Sequence, residues 1–82
     1  MKETSIDISL GGYLRASRKL KGMTGKELGE KVSLSQQQIS RYERGINKFT
    51  LDMFIKIVKA LDSKPCDATR VVNQVLKKEF DI

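Results

Sequence analysis

Two short capped segments with only a two-residue turn between them constrain this chain more than any other feature. Ser35 is a helix N-cap residue type and Gly45 a helix stop, so Gln36–Arg44 reads as one short helix. Upstream, Thr24 caps Gly25–Lys31, where Glu27 and Lys31 stand at i, i+4 and Leu28 and Val32 supply the apolar positions. Ser33 and Leu34 leave room for nothing but a sharp change of direction. Two short helices joined in this way form a helix-turn-helix.

The second of these helices has an unusual outer face. At about 100° per residue, Ile39 and Tyr42 fall on one side, with Ser35 above them. The other side carries Gln37, Ser40, Arg41 and Arg44, with Gln36 at its N-terminal edge. Gln and Arg are the side chains best shaped for paired hydrogen bonds to adenine and guanine edges in a major groove. A short polar helix with two arginines is also an ordinary solvated surface, so the rest of the chain has to decide.

The chain has 82 residues, enough for one small domain. Such a chain buries only about 60% of its unfolded surface, which leaves one core and little room for an enclosed pocket. Sixteen Lys and Arg against ten Asp and Glu give a net charge of +6, which suits a polyanionic partner. No apolar run is long enough to cross a membrane, and Met1–Ser9 lacks the charged start and apolar stretch of a signal peptide; a cytoplasmic location is expected. There is no histidine, and Cys66 is the one cysteine. A zinc finger is therefore excluded, as is Ser-His or Cys-His catalysis within one chain. Gly11-Gly12 and the Gly22–Gly25 pair lack the surroundings of a phosphate loop. The expectation is a non-enzyme without metal, cofactor or evident small-molecule ligand.

Along the chain, residues 1–8 read as a flexible arm, and Ser9 as the cap of a first helix running to about Lys21. Its apolar positions are Leu10, Tyr13, Leu14 and Leu20, and Gly22 ends it. After Gly45, a loop holds Asn47 and Lys48. Thr50 then caps a fourth helix to Leu61, with Leu51, Phe54, Ile55, Val58 and Leu61 at helical spacing. Pro65 suits the first turn of a fifth helix ending near Lys78, on which Ala68, Val71, Val72, Val75 and Leu76 share a stripe. No segment alternates with period two. The expected fold is all-α, five helices packed as a single domain over residues 9–82.

From Leu10 to Leu61 the chain resembles the lambda-repressor-like, Cro-type helix-turn-helix regulators of bacteria and phages. The resemblance rests on Leu10-Gly11, Arg18-Lys19, Met23-Thr24, Glu27-Leu28, the run Ile39-Ser40-Arg41-Tyr42-Glu43-Arg44-Gly45, and Ile57–Leu61. It implies a transcriptional regulator of the bacterial nucleoid whose helix Gln36–Arg44 enters the major groove of double-stranded DNA while the helix before it crosses the backbone. By position, Gln36, Gln37 and Arg41 match the family's base-reading sites, with Ser40 between them and Arg44 near the far edge. Thr24, Gly25, Lys26, Ser35, Asn47, Lys48 and Thr50 match positions near phosphate. Arg18 and Glu43 match a buried structural ion pair. Gly25 departs from the family's usual Gln, and Gly29 from its usual Ala. More narrowly, Ser35–Glu43 resembles small regulators encoded with enterobacterial fimbrial operons, which implies fimbrial or motility genes as targets.

Repression by occupying a promoter is the simplest mechanism expected of so small a chain. Val71, Val72, Val75, Leu76 and Phe80 exceed what one small domain buries at an edge. They predict a homodimer with its recognition helices about 34 Å apart on a near-palindromic operator. The alternative function is the antitoxin of a toxin–antitoxin pair. A protein-interaction module fits less well, because helix Gln36–Arg44 offers few apolar anchors.

Overall fold

The computed structural model describes residues 3–80 as five helices: α1 (Glu3–Leu20), α2 (Gly25–Val32), α3 (Gln36–Glu43), α4 (Leu51–Ala60) and α5 (Pro65–Phe80). No strand occurs among the described residues. The all-α, five-helix architecture is the one the sequence leads to. Met1, Lys2, Asp81 and Ile82 lie outside the described residues, so that much of the expected arm and of the C-terminal end does too.

The chain reverses where its composition lets it. Gly22 (φ 68°) follows α1, with its N–H donating to the Lys19 carbonyl and the Met23 N–H to that of Arg18. Gly45 (φ 76°) ends α3 in the same manner, its N–H going to Tyr42 and that of Ile46 to Arg41. Both are Schellman closures, which need a left-handed residue that glycine supplies without a Cβ penalty. Ser33 and Asp62 take the same conformation after α2 and α4 (φ 61° and 54°).

The fully buried side chains are few: Leu14 from α1, Leu28 and Val32 from α2, Ile39 from α3, and Ile57 and Leu61 from α4 and its end. Phe54 and Ala68 complete the core. In two places this differs from the sequence expectation. On α4 the inward set is Phe54, Ile57 and Leu61, while Leu51 and Ile55 face outward at 74% and 43% exposure. Leu20, expected on the inner face of α1, is 87% exposed in the last turn. Periodicity fixed the width of these apolar stripes but not which edge meets a neighbour.

The first helix is also longer at its start than expected. Ser9 does not cap it; α1 begins at Glu3 and takes up residues expected in the arm. Asp7 is buried there, and its Oδ1 accepts a 2.9 Å hydrogen bond from the Phe49 N–H. Long-range contacts of this kind outweigh a local capping preference, since a cap is worth only about 1 kcal/mol.

Three crossings position α3. Gly11 on α1 sits against its C-terminal turn, where an added Cβ would lie 2.7 Å from the Glu43 carbonyl oxygen and closer still to that of Tyr42. Gly29 on α2 meets the turn leading into α3, and a Cβ there would collide with the Leu34 carbonyl. Tyr42 packs against Phe49 with its ring tilted (ring centroids 4.8 Å apart), and Phe49 packs edge-on against Phe54. Helix α3 is thus held by direct backbone approach on two sides and by aromatic packing on the third.

Candidate nucleic-acid interface

Helix α3 starts with a reciprocal capping box. The Ser35 Oγ accepts from the Gln38 N–H at 3.1 Å, and the Gln38 Oε1 accepts from the Ser35 N–H at 2.9 Å. This satisfies two otherwise orphaned donors and turns the Gln38 side chain back along the helix. Gln36 and Gln37 have no such duty and stand exposed beside it. The pattern Ser-x-x-Gln carries the signal for this division of labour.

Spacing then separates the two faces. Ile39 and Glu43 are buried, Tyr42 is half-buried, and Gln37, Arg41 and Arg44 project outward at i, i+4, i+7. Ser40 is half-buried at the margin. Arg44 is the C-cap rather than the last helical residue, and its Nε reaches back to the Ser40 carbonyl at 3.4 Å.

Behind this face, Arg18 of α1 grips Glu43 in a bidentate pair. Its Nε donates to Oε2 at 2.6 Å and its Nη2 to Oε1 at 2.9 Å, while Nη1 donates to the Met23 carbonyl at 2.8 Å. The two side chains are 12% and 7% exposed. The Glu43 carboxylate raises the Arg18 pKa above its ordinary value, so the guanidinium stays charged. A charge paired and hydrogen-bonded this fully has little field left for an outside partner.

Three helix starts carry the remaining candidate residues. Thr24 caps α2 with its own box: its Oγ1 accepts from the Glu27 N–H, and Glu27 Oε1 accepts from the Thr24 N–H at 2.8 Å. That backbone hydrogen bond, assisted by the one with the Thr24 side chain, holds the Glu27 carboxyl below its ordinary pKa. Gly25 opens α2, and Lys26 beside it is exposed. Thr50 caps α4 by accepting from the Met53 N–H. Thr24, Ser35 and Thr50 are all exposed; the Ser35 and Thr50 hydroxyl oxygens accept in their caps, which leaves their protons to donate, whereas the Thr24 hydroxyl is already shared with Glu27. In the loop before Thr50, Lys48 is exposed and Asn47 half-buried.

A cleft of about 530 Å³ joins two of these groups. Thr24 and Gly25 line one wall, Gln36, Ser40 and Arg44 the other, and Arg15 and Lys19 of α1 stand at its edge. The start of α2 and the outer side of α3 therefore share one surface. Arg15 and Lys19 were not among the residues expected from sequence. Their i, i+4 spacing flanking Arg18 was the available signal.

The residues expected at a dimer contact divide into two sets. Val71 and Val75 are half-buried and line a groove with Ser9 and Tyr13 of α1. Val72, Leu76 and Phe80 are 38%, 47% and 69% exposed on the other flank of α5. Val72 shares a second groove, apolar and about 400 Å³, with Leu51, Ile55 and Val58 of α4. Among the described residues, no helix is long and apolar enough to cross a membrane.

A helix-turn-helix family model matches residues 14–67, which contain α2, α3 and α4. An uncharacterised HTH-type transcriptional regulator of Sinorhizobium medicae is 40% identical over 47 residues, covering 57% of this chain and 34% of its own. Another, from Sinorhizobium fredii, is 31% identical over 64 residues, covering 78% and 45%. The chain thus spans less than half the length of these curated relatives. Among solved structures, the clp gene regulator ClgR of Corynebacterium glutamicum superposes with a TM-score of 0.76 at 28% identity, over 84% of this chain and 88% of that one. The restriction-modification controller protein C.Esp1396I, solved as a tetramer on its natural 35-base-pair operator, also gives 0.76, at 24% identity over 89% and 97% of the two chains. At that identity the second likeness concerns the fold.

Proposed function

The chain belongs to the helix-turn-helix family, lambda-repressor-like and Cro-type, and from that premise we propose that it regulates transcription by binding double-stranded DNA in a sequence-specific way. The observation that carries this reading is the division of α3. Its inner face is immobilised by Ile39, Tyr42 and the Glu43–Arg18 pair, and its outer face offers Gln36, Gln37, Arg41 and Arg44 to solvent. A rigid helix with free amide and guanidinium groups suits base edges in the major groove. Ser40 lies within reach at the margin. Thr24, Gly25, Lys26, Ser35, Asn47, Lys48 and Thr50 then meet the phosphates, through the Ser35 and Thr50 hydroxyl protons, the backbone at the start of α2, the Asn47 amide and lysine charge.

The regulator works as a homodimer on a near-palindromic operator, and it represses by occupying the promoter. The exposed apolar side chains of Leu51, Ile55, Val72, Leu76 and Phe80 support the dimer, because a two-fold contact needs a self-complementary apolar patch. Val71 and Val75 serve it indirectly, by seating α5 on α1. Fimbrial or motility genes are the targets proposed from the Ser35–Glu43 run.

Selection of bound duplexes from a random pool tests the reading, and it should return one recurring sequence. Arg41→Ala should weaken binding to that sequence by about 1–3 kcal/mol and relax the preference at one base pair. Lys48→Ala should weaken selected and random duplexes alike. Equal weakening of both by Arg41→Ala would remove Arg41 from the base readers.

A further inference from the structure

We infer that Asp7 is a positioning residue for DNA binding, fixing the loop between α3 and α4 so that Asn47 and Lys48 meet the phosphate backbone. The inference rests on the DNA-binding reading above and adds to it a residue at the far end of α1.

Two successive residues of α1 hold the two ends of this loop. At its start, Gly45 lies so close to Ile8 that a Cβ there would be 2.8 Å from the Ile8 Cα. At its end, the Phe49 N–H donates to the Asp7 carboxylate at 2.9 Å, across 42 residues of sequence. Between these points, the Ile46 and Asn47 N–H groups reach the Arg41 carbonyl at 2.9 and 3.4 Å. Lys48 is exposed between the anchored residues. The path of the chain from Asn47 to the Thr50 cap is therefore set by Phe49, through its N–H on Asp7 and its ring against Tyr42 and Phe54.

Chemistry explains why the acceptor matters. Asp7 is 8% exposed, and burying a carboxylate is unfavourable unless it is well hydrogen-bonded. What the side chain provides is an acceptor oxygen placed to hold one particular amide. A carboxylate on the DNA side of a protein would by itself repel phosphate, so a simple charge effect and a clamp have opposite signs. Removing a repulsive charge tightens DNA binding; releasing the loop loosens it.

The test measures binding of the full chain to a mixed-sequence duplex of about 30 base pairs over a range of salt concentrations, where each phosphate contact contributes about 0.9 to the log–log slope. Asp7→Ala should bind several-fold more weakly with a slope lower by about one contact, that of Lys48. Asp7→Asn, which keeps a carbonyl acceptor and loses the charge, should bind at least as well as the parent. Combining Asp7→Ala with Lys48→Ala should lower the slope no further than the larger of the single changes, because both act through one contact. The Phe49 amide resonance reports the clamp directly. Should Asp7→Ala not fold, Asp7→Glu, which keeps the charge and displaces the acceptor, must show the same fall in slope. An unchanged slope, tighter binding by Asp7→Ala, or additive losses with Lys48→Ala would overturn the inference while leaving the DNA reading intact. A parent protein with no salt-dependent duplex binding would overturn the DNA reading itself.

Discussion

Helices α3 and α5 are both amphipathic and both lie at the surface, yet they are attached in opposite ways. Helix α3 touches its neighbours through backbone, at Gly11 and Gly29, and through the buried Arg18–Glu43 pair, and it shows solvent a polar face. Helix α5 contains no glycine; it seats buried Ala68 and half-buried Val71 and Val75 against the rest of the domain, and shows solvent Val72, Leu76 and Phe80. Backbone contact leaves no rotamers to adjust, so α3 is held in one pose; side-chain contact tolerates repacking, so α5 can accommodate another surface. The helix with the polar outer face is the one fixed by close backbone contacts and a buried ion pair, which suits the proposed readout of bases.

Substitutions on the two helices and their neighbours test this contrast. Arg18→Met should act most strongly, because it strands the buried Glu43 carboxylate; a loss of about 3–5 kcal/mol in denaturant titration is expected, with part regained when Glu43 is also made apolar. Gly29→Ala should cost about 1–3 kcal/mol, since its Cβ meets the Leu34 carbonyl rather than a movable side chain. Gly25→Ala tests the same helix with the opposite sign. A Cβ there finds Gln36 Cγ at 3.7 Å and Ile39 Cγ2 at 3.8 Å, ordinary contacts, so thermal melting should show a gain of about 0.4–1 kcal/mol.

On α5 the same logic predicts almost no effect on folding. Leu76→Asp should leave the stability of the monomer within about 0.5 kcal/mol of the parent, while sedimentation shows the dimer lost. A parent chain that already sediments as a monomer would remove the dimer from the proposal. The mildest perturbation is acid. Glu27 has a depressed pKa, so its cap contribution is fully present above the unfolded carboxylate value and is lost as pH falls through the lower folded value. Gln38 does not titrate. Hydrogen exchange at Thr24 should therefore quicken in acid, relative to the intrinsic rate, before exchange at Ser35 does.

Much of this arrangement was legible because it is written locally. Thr24, Ser35 and Thr50 are caps, Gly22 and Gly45 are stops, and each acts within six residues of itself, so sequence alone places α2, α3 and the start of α4 to within a residue or so. The start of α1 was not legible. Ser9 has the chemistry of a cap, but the helix continues past it to Asp7, whose partner lies 42 residues away. The valine-rich stripe of α5 was visible as a stripe; that α1 takes Val71 and Val75 and leaves Val72 and Leu76 depends on where two neighbours stand, which periodicity does not encode. For the same reason Arg15 and Lys19 read as ordinary surface charge until the cleft beside Gly25 brought them together with α3.

The choice of Gln38 over an acid in the second capping box has a consequence for the electric field at the surface. The first turn of α3 contains no acidic residue, whereas that of α2 contains Glu27. A helix start carries roughly half a positive elementary charge from its aligned peptide dipoles. On α2 a neighbouring carboxylate offsets that charge. On α3 Gln38 makes the same two hydrogen bonds, through its side-chain carbonyl and its backbone N–H, without offsetting it, so the end of the helix that would enter a groove first keeps its full attraction for anions.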